Sequence, residues 1–189
     1  MRIISGKYKR KRLISPMGIL TRPSSDRLRE TLMNILEGGK FGHPLNASII
    51  IDIFAGTGAL GIEAASRGKP KKVIFIDKDK NATELIKENI KITNSPDIFQ
   101  IMNSDIFDLA KWENDPAELV FMDPPYFSNF FSKTLEKLID FNALIPGAII
   151  VLEASSKERI EKIKFFEELL VKKIGKSLII FLKYSPSLK

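Results

Sequence analysis

The sequence predicts an α/β fold: an open, mostly parallel seven-stranded sheet with an antiparallel hairpin at one edge, preceded by a basic β-hairpin and a helix. From residue 47 onward, short apolar runs alternate with longer segments of helical periodicity, which is typical of βαβ units. The last two apolar runs are separated only by Gly175 and Lys176, a spacing typical of a β-hairpin. The length of 189 residues fits one compact unit, in which residues 1–40 are an appendage to a main domain of residues 41–189.

The first 40 residues predict two short strands and one helix. Residues 2–7 and 11–14 are expected to form the strands, with a turn at Gly6. Ser24 or Ser25 can cap the helix that follows. The apolar stripe of this helix comprises Leu28, Leu32, Ile35 and Leu36.

The apolar runs of the main domain are hydrophobic at consecutive positions, as burial of both faces of a parallel sheet requires. The five parallel strands are expected at residues 48–54, 72–76, 98–102, 119–122 and 148–152. Three helices are expected between them, at residues 59–67, 78–93 and 129–140. The closing hairpin is expected at residues 168–174 and 177–184.

The composition excludes several kinds of chemistry. With no cysteine and a single histidine, His43, the chain cannot build a disulfide scaffold, a thiolate zinc site or a multi-histidine metal centre. We therefore expect no metal site. The longest mainly apolar run, residues 143–152, is interrupted by Pro146 and Gly147 and is shorter than the roughly 18 residues of a membrane span. We expect a soluble cytoplasmic protein that does not bind a membrane.

The net charge of +7 is located entirely in the first 40 residues, which hold ten Lys or Arg against three Asp or Glu. A membrane-binding helix would need an apolar stripe at helical spacing, which the N-terminal segment lacks. The cationic cluster therefore favours a nucleic acid as partner, and a solvated face is the alternative. The cluster surrounds Tyr8 and comprises Arg2, Lys7, Lys9, Arg10, Lys11 and Arg12.

A glycine-rich segment, residues 52–61, follows the first predicted strand of the main domain. Glycines let the backbone turn sharply and approach a ligand, and the next helix begins there with free N–H groups. Gly56, Gly58 and Gly61 have the spacing of the dinucleotide fingerprint, and Asp77 lies 19 residues after Gly58, where an acid can bind ribose hydroxyls. The segment indicates a nucleotide-type ligand, unless the glycines serve only tight packing.

A second motif, Asp123-Pro124-Pro125-Tyr126, follows the fourth predicted strand. Loops at the carboxyl ends of the first and fourth strands flank one crevice in a doubly wound sheet. The two prolines lack N–H donors, so the loop offers only carbonyl acceptors, together with a carboxylate and the flat face of Tyr126. This arrangement suits an exocyclic amino group on a planar base. An ordinary turn with a capping aspartate is the alternative.

Together these motifs resemble the class I S-adenosylmethionine-dependent methyltransferases that modify exocyclic amines, which have a Rossmann-like sheet. Nearly the whole chain is similar to the bacterial 16S rRNA guanine-N2 methyltransferases of the small ribosomal subunit. The similarity covers residues 1–6, the block 22–32, the glycine-rich segment, the Asp-Pro-Pro-Tyr motif and the closing hairpin. Ser5 departs from a glycine usual in that family, and residues 154–166 match no motif of it.

The resemblance implies roles for individual residues. S-adenosyl-L-methionine would be the cofactor, with Asp77 at its ribose and Asp105 and Ile106 at its adenine; Asp105 could otherwise serve only to cap a short helix. The full set of implied cofactor-binding residues is Asp52, Ala55, Gly56, Thr57, Gly58, Asp77, Asp105 and Ile106. The implied catalytic residues are Asp123, Pro124 and Tyr126. The implied RNA-binding residues are Arg2, Lys7, Lys9, Arg10, Lys11, Arg12 and Arg22.

The implied partner is 16S rRNA, within the small subunit or an assembly intermediate, and we expect a monomer. Three other functions remain open from the sequence. An adenine-N6 methyltransferase acting on DNA or RNA would use the same acceptor loop. A dinucleotide-dependent oxidoreductase would use the glycine fingerprint, although it leaves the acceptor loop and the basic cluster unexplained. A non-catalytic RNA-binding assembly factor would have the methyltransferase fold without the activity.

Overall fold

The computed structural model describes residues 1–15, 26–125, 130–158 and 163–187. Its seven strands are β1 (Ile49–Ile53), β2 (Lys72–Asp77), β3 (Phe99–Asn103), β4 (Ala117–Met122), β5 (Leu144–Ser155), β6 (Phe166–Ile174) and β7 (Ser177–Tyr184). They form one sheet in the order β3-β2-β1-β4-β5-β7-β6. Strands β1 to β5 are mutually parallel, and β7 runs antiparallel to both β5 and β6. The predicted fold class is confirmed.

The helices cover both faces of this sheet. They are α1 (Asp26–Glu37), α2 (Ala59–Arg67), α3 (Lys80–Lys91) and α4 (Phe130–Asp140). Helices α1, α2 and α3 pack on one face, in a core that includes Leu32, Ile62 and Ile86, and α4 packs on the other through Leu135 and Leu138. Burial on both faces explains the continuous apolar character of the strands. None of the helices in the described ranges is long and apolar enough to cross a membrane.

Element ends differ from the predicted ones by a few residues. Helix α3 begins at Lys80 and not at residue 78, because the Asp79 carboxylate accepts the Asn81 N–H and caps the helix. Strand β5 begins at Leu144, which pairs with Ala117, before an irregularity in the pairing. The predicted capping serines and residue 129 lie outside the described residues.

The N-terminal segment, residues 1–15, hereafter the arm, folds back on itself as the predicted hairpin, with the Ile3 N–H donating to the Lys11 carbonyl and the Leu13 N–H to the Met1 carbonyl, both at 3.0 Å. A single antiparallel bridge joins Arg2 and Arg12, and turns occupy most of the segment between them. The arm's backbone also bonds to α2: the Lys7 N–H donates to the Ser66 carbonyl at 2.7 Å. Gly6, at φ +80°, approaches that carbonyl so closely that a Cβ would lie 1.9 Å from its oxygen. Long-range contacts to α2 therefore add to the pairing within the hairpin.

A buried carboxylate fixes the arm to α2. Glu63 accepts the N–H groups of Ile4 at 2.8 Å and Ser5 at 3.0 Å, and its carboxylate also contacts the Arg67 guanidinium at 2.9 Å. The Arg29 guanidinium lies 3.6 Å away on the other side. These contacts partner a charge that would otherwise be costly to bury. The arm is therefore part of the main core and not a free extension.

Candidate active site

The order in which the chain adds strands to the sheet reverses between β1 and β4. Strands β2 and β3 lie on one side of this pair and β5 on the other, so a crevice opens beyond the carboxyl ends of β1 and β4. Ile53 and Met122, the last residues of these two strands, are paired in the sheet. The glycine-rich segment and the Asp123 loop therefore start side by side. We call this side of the sheet the carboxyl edge.

The glycine loop turns back on itself through residues with positive φ. Phe54, Gly56 and Gly58 have φ values of +59°, +54° and +74°. The Gly58 N–H donates to the Ala55 carbonyl at 2.7 Å, and the Ala55 N–H donates to the end of β2. Gly58 is the N-cap of α2 and contributes no side chain, so the N–H groups of Ala59 and Leu60 have no cap, whereas that of Gly61 is bonded to Asp52.

The three fingerprint glycines have different surroundings. A Cβ on Gly61 would lie 2.5 Å from the Phe75 ring, and one on Gly58 would lie 3.2 Å from Ile86. Packing against the core therefore accounts for much of the need for glycine at these two positions. At Gly56 a Cβ would make one ordinary contact, 3.9 Å from the Phe54 carbonyl oxygen, so the loop has room for a side chain there. Gly56 is where a ligand can approach the backbone.

Asp52 lies at the base of the loop with 2% exposure. Its carboxylate accepts the Gly61 N–H at 2.9 Å and so fixes the first turn of α2 to the end of β1. Burial raises the pKa of Asp52 to about 8, with a further increase from the nearby Asp77 carboxylate, although the hydrogen bond from Gly61 opposes the shift. Asp52 is thus protonated in part near neutral pH.

Asp77 connects the loops that follow β1 and β2. One carboxylate oxygen accepts the Gly56 N–H at 2.8 Å, and the other accepts the Asp79 N–H at 2.9 Å. Asp79 itself caps α3. The structure therefore brings Asp77, the aspartate predicted from the sequence, to the glycine loop, and assigns Asp79 to the helix.

Asp105 and Ile106 lie on the same edge, after β3. They line a small depression whose walls also include Phe54 and Asp77. Asp105 accepts the Phe107 N–H at 3.1 Å and so caps the following turn, and its carboxylate lies 3.2 Å from the Lys78 ammonium. The neighbouring Ile106 side chain is buried. Asp105 therefore both caps a turn and lines the depression.

Asp123 and Pro124 follow β4 at the crevice. Asp123 is half-buried, Pro124 is buried and Pro125 is exposed. The proposed stacking residue Tyr126 and the proposed RNA-binding residue Arg22 lie outside the described residues.

The sequence reasoning missed an aromatic cluster at this edge. Phe130, at the start of α4, stacks on Phe54 with ring centroids 5.9 Å apart and an interplanar angle of 11°. Phe107 packs against the same ring at 5.3 Å. All three side chains are half-exposed. The available signal was that each of these residues lies in or next to a loop at the carboxyl end of a strand.

The role of Asn89 was also missed, because no local pattern in the sequence indicates it. This fully buried side chain of α3 accepts the Ile14 N–H at 2.7 Å and donates to the Ile14 carbonyl at 3.2 Å. The same amide group donates to the Thr57 carbonyl at 2.9 Å. Asn89 thus joins the end of the arm to the glycine loop.

The arm's cations are divided between bonded and exposed groups. The Lys7 ammonium lies 3.2 Å from the Ser95 hydroxyl, the Lys11 ammonium bonds to the Ile92 carbonyl, and both lie over the Tyr8 ring. Ile92 and Ser95 belong to the connection that enters the amino end of β3. The tip of the arm therefore lies toward the side of the sheet opposite the glycine loop. Lys7 is nevertheless exposed and Lys11 is half-buried; the other exposed cations are Arg2, Lys9, Arg10 and Arg12.

The sheet order, the glycine loop and the acceptor loop on neighbouring strand ends define a Rossmann-like methyltransferase fold. The solved structure of the Escherichia coli protein yhhF is similar over 99% of both chains, with a TM-score of 0.83 and 28% identity. An RNA methyltransferase from Salinibacter ruber, solved in complex with S-adenosyl-L-homocysteine, has a TM-score of 0.66 over 88% of this chain and 96% of that one. It is 14% identical and supports the fold alone.

The chain belongs to the family described as Conserved hypothetical protein 95, which matches residues 1–183. A relative named Ribosomal RNA small subunit methyltransferase D, from Haemophilus influenzae, is 34% identical over 158 residues, which cover 81% of this chain and 78% of that protein. The protein of the same name from Escherichia coli K12 is 30% identical over 159 residues, covering 82% and 74%. The family resemblance inferred from the motifs is confirmed.

Proposed function

We propose that the protein transfers a methyl group from S-adenosyl-L-methionine to the exocyclic N2 of a guanine in 16S rRNA of the small ribosomal subunit. The observation that carries the proposal is the pairing of Ile53 with Met122, because it opens the glycine loop and the Asp123-Pro124 loop onto one crevice. The names of the relatives support methylation of small-subunit rRNA. The acceptor loop supports an exocyclic amine as the target.

The residues at the carboxyl edge fit the proposed cofactor. The space beside Gly56 and the uncapped N–H groups of Ala59 and Leu60 would receive its methionine part, next to Asp52, Ala55 and Thr57. Asp77 would bind the ribose hydroxyls, and Asp105 and Ile106 would adjoin the adenine. When bound, S-adenosyl-L-methionine supplies an electrophilic methyl group on its sulfonium.

The acceptor loop compensates for a weak nucleophile. The lone pair of guanine N2 is delocalised into the ring, so the amine must be held in line with the methyl group while its hydrogens are drawn toward acceptors. The Asp123 carboxylate and the Pro124 carbonyl supply those acceptors. After transfer the amine becomes acidic, and its proton can leave through Asp123 or water without a strongly tuned base. Tyr126 is proposed to stack on the base once it is swung out of its helix or loop.

RNA would also contact the arm. The exposed cations at Arg2, Lys9, Arg10 and Arg12 are available to phosphates. Lys7 and Lys11 have protein partners, so they would contribute less to RNA binding unless phosphates replace those partners.

The proposed reaction is tested with purified protein, S-adenosyl-L-methionine labelled in the methyl group, and 16S rRNA transcribed in vitro, free or assembled into small subunits. We expect the label in N2-methylguanosine after digestion to nucleosides. Label in N6-methyladenosine would favour the adenine alternative, and a duplex DNA control tests that substrate directly. Binding of NAD without binding of S-adenosyl-L-methionine would favour an oxidoreductase. RNA binding without methyl transfer would favour an assembly factor.

Substitution of Asn89 by alanine is expected to weaken binding of S-adenosyl-L-methionine by about 5–100-fold. It leaves the Thr57 carbonyl without its partner, and an unsatisfied buried group costs on the order of 1–3 kcal/mol. Isothermal titration calorimetry measures the change. Asn81→Ala is the matched control, because Asn81 lies on the same helix with an exposed side chain. Equal affinities for the two folded variants would contradict a role for Asn89 in positioning the loop.

The affinity for S-adenosyl-L-methionine is expected to rise with pH up to about 8. The cofactor is cationic, so it binds the ionised form of Asp52 more tightly, and below the pKa of about 8 binding must first expel a proton. The increase should approach tenfold per pH unit between about pH 6 and 8 and then level off.

The matched control for this pH dependence is Asp52→Asn, which keeps an oxygen acceptor for the Gly61 N–H but cannot ionise. Titration of the cofactor's own amino group affects both proteins equally and cancels in the comparison. The wild-type protein should also lose stability as pH rises from about 4 to 8, because only its folded state holds the extra proton over that range. Parallel pH profiles for the two proteins would show that Asp52 does not titrate in the site.

A further inference from the structure

The turn between β6 and β7 lies on the same edge of the sheet as the crevice. Strand β5 runs parallel to β4, with Leu152 paired to Met122, and it continues for three residues to Ser155. Ser155 pairs with Ser177, the first residue of β7 after the turn. The Ser156 N–H donates to the Lys176 carbonyl at 2.8 Å and fixes the turn against the end of β5. The turn therefore projects at the carboxyl edge.

Exposed lysines are concentrated at this turn. They are Lys157, Lys172, Lys173 and Lys176, hereafter the turn lysines. The two ends of strand β6 carry opposite charges: Glu167 and Glu168 lie at its start, and Lys172 and Lys173 lie near the turn. Within the described part of the chain, no carboxylate lies within 4.0 Å of a turn lysine ammonium, whereas Lys87, Lys91 and Lys111 each pair with a glutamate. The turn lysines thus form an uncompensated positive surface.

The rest of the carboxyl edge carries acidic groups. Asp77, Asp79, Asp105 and Asp123 all lie there, and the Lys78 ammonium pairs with Asp105. Carboxylates repel the phosphates that flank a target base. The tip of the basic arm lies toward the opposite edge and cannot offset this repulsion locally. A polyanion that enters the crevice therefore needs cations at the edge itself.

The spacing of the strands puts the turn lysines within reach of such a substrate. Three strand-to-strand steps separate β4, which carries Asp123, from β6, and each step is about 4.8 Å, or roughly 14 Å in all. Nucleotides next to a base bound at Asp123 can span this distance.

We propose that the turn lysines bind the RNA backbone beside the target nucleotide and so form a second RNA contact, separate from the arm. This inference rests on the proposed function and adds a binding surface to it. Its expected signature is electrostatic, because each neutralised phosphate releases counterions and makes binding more sensitive to salt.

The test compares two triple variants that lose the same charge. The first is Lys172→Ser, Lys173→Ser and Lys176→Ser. The control is Lys87→Ser, Lys91→Ser and Lys111→Ser, which removes three lysines that already pair with glutamates. Binding of in vitro transcribed 16S rRNA, free and in assembled small subunits, is measured over a salt series, with circular dichroism to confirm folding.

We expect the turn variant to flatten the dependence of log affinity on log salt by roughly 1.4–2.7 units, at about 0.7–0.9 for each of two or three phosphates that are no longer neutralised. Its KM for RNA should rise, and its affinity for S-adenosyl-L-methionine should not change. The control should keep the wild-type slope. If the triple variant fails to fold, the single substitution Lys176→Glu in the exposed turn should raise the KM for RNA in the same way.

An unchanged slope in the folded turn variant, or an equal flattening in the control, would overturn the proposal. Self-association of the turn variant with an unchanged slope would also overturn it, and would mean that these lysines protect the exposed edge strand β6. Failure of the proposed function would give a different result, because the wild-type protein itself would then transfer no methyl group to 16S rRNA.

Discussion

Replacement of Asp123 by alanine is expected to lower the rate of methyl transfer by about 10²-fold or more, with little change in the affinity for S-adenosyl-L-methionine. The carboxylate is proposed to act on the amine mainly in the transition state, and removal of one preorganised polar group has effects of this size. Single-turnover assays with saturating RNA and cofactor measure the rate, and calorimetry measures the affinity.

Two further variants sharpen this result. Asp123→Asn keeps one oxygen acceptor and removes the charge, so it should retain more activity than the alanine variant. Asp140→Ala removes an exposed aspartate at the end of α4 and should behave as wild type. A normal single-turnover rate in Asp123→Ala would make Asp123 a structural residue of the turn and contradict the mechanism.

Replacement of Gly56 by valine is expected to weaken S-adenosyl-L-methionine binding by on the order of 10–100-fold. The added side chain would occupy the space beside the loop, and overfilling a site of this kind costs roughly 1–3 kcal/mol. Calorimetry with the folded variant measures the change in affinity. Gly58→Val is a poorer test, because its side chain would collide with Ile86 and Phe75 and disturb the core as well.

The control for Gly56→Val is Gly42→Val. Gly42 also has a positive φ, +78°, and a Cβ there would meet nothing within 4 Å, so the substitution adds similar backbone strain away from the crevice. Thermal unfolding should show comparable decreases in stability for the two variants. Wild-type cofactor affinity in Gly56→Val would mean that the ligand does not approach the loop at this residue.

The sheet could be predicted from the sequence because its strands are buried on both faces. Residues such as Ile50 and Ile51 pack into opposite cores, so nearly every position in the strand is apolar and the run is conspicuous. The positions of the strand ends were less exact, since pairing partners set them: Ala117 joins β4 only because Leu144 lies beside it.

The glycine loop and the acceptor loop could also be placed, because strand order alone brings their starting points together. Their internal geometry could not. The sequence does not show that a side chain at Gly61 would collide with the Phe75 ring. Nor does it show that the Asp77 carboxylate accepts the Gly56 N–H, because both contacts join segments that are distant in the chain.

The arm shows most clearly what the sequence could not reveal. Its hairpin pairing was predicted, but the sequence does not show that the arm's backbone also bonds to Glu63 and Ser66, about 60 residues away. The same docking places the Lys11 ammonium against the Ile92 carbonyl. The cations of the cluster therefore differ in their surroundings, although they are consecutive in the sequence. Asn89 joins the arm to the glycine loop through contacts that are equally distant in the chain.

The most direct test of the proposed function is nucleoside analysis of small-subunit rRNA from cells that lack the protein. We expect the amount of N2-methylguanosine to fall relative to cells that make the protein. The wild-type protein should restore it, Asp123→Ala should not, and N6-methyladenosine should be unaffected. An unchanged content of N2-methylguanosine in small-subunit rRNA from cells lacking the protein would contradict the proposed function.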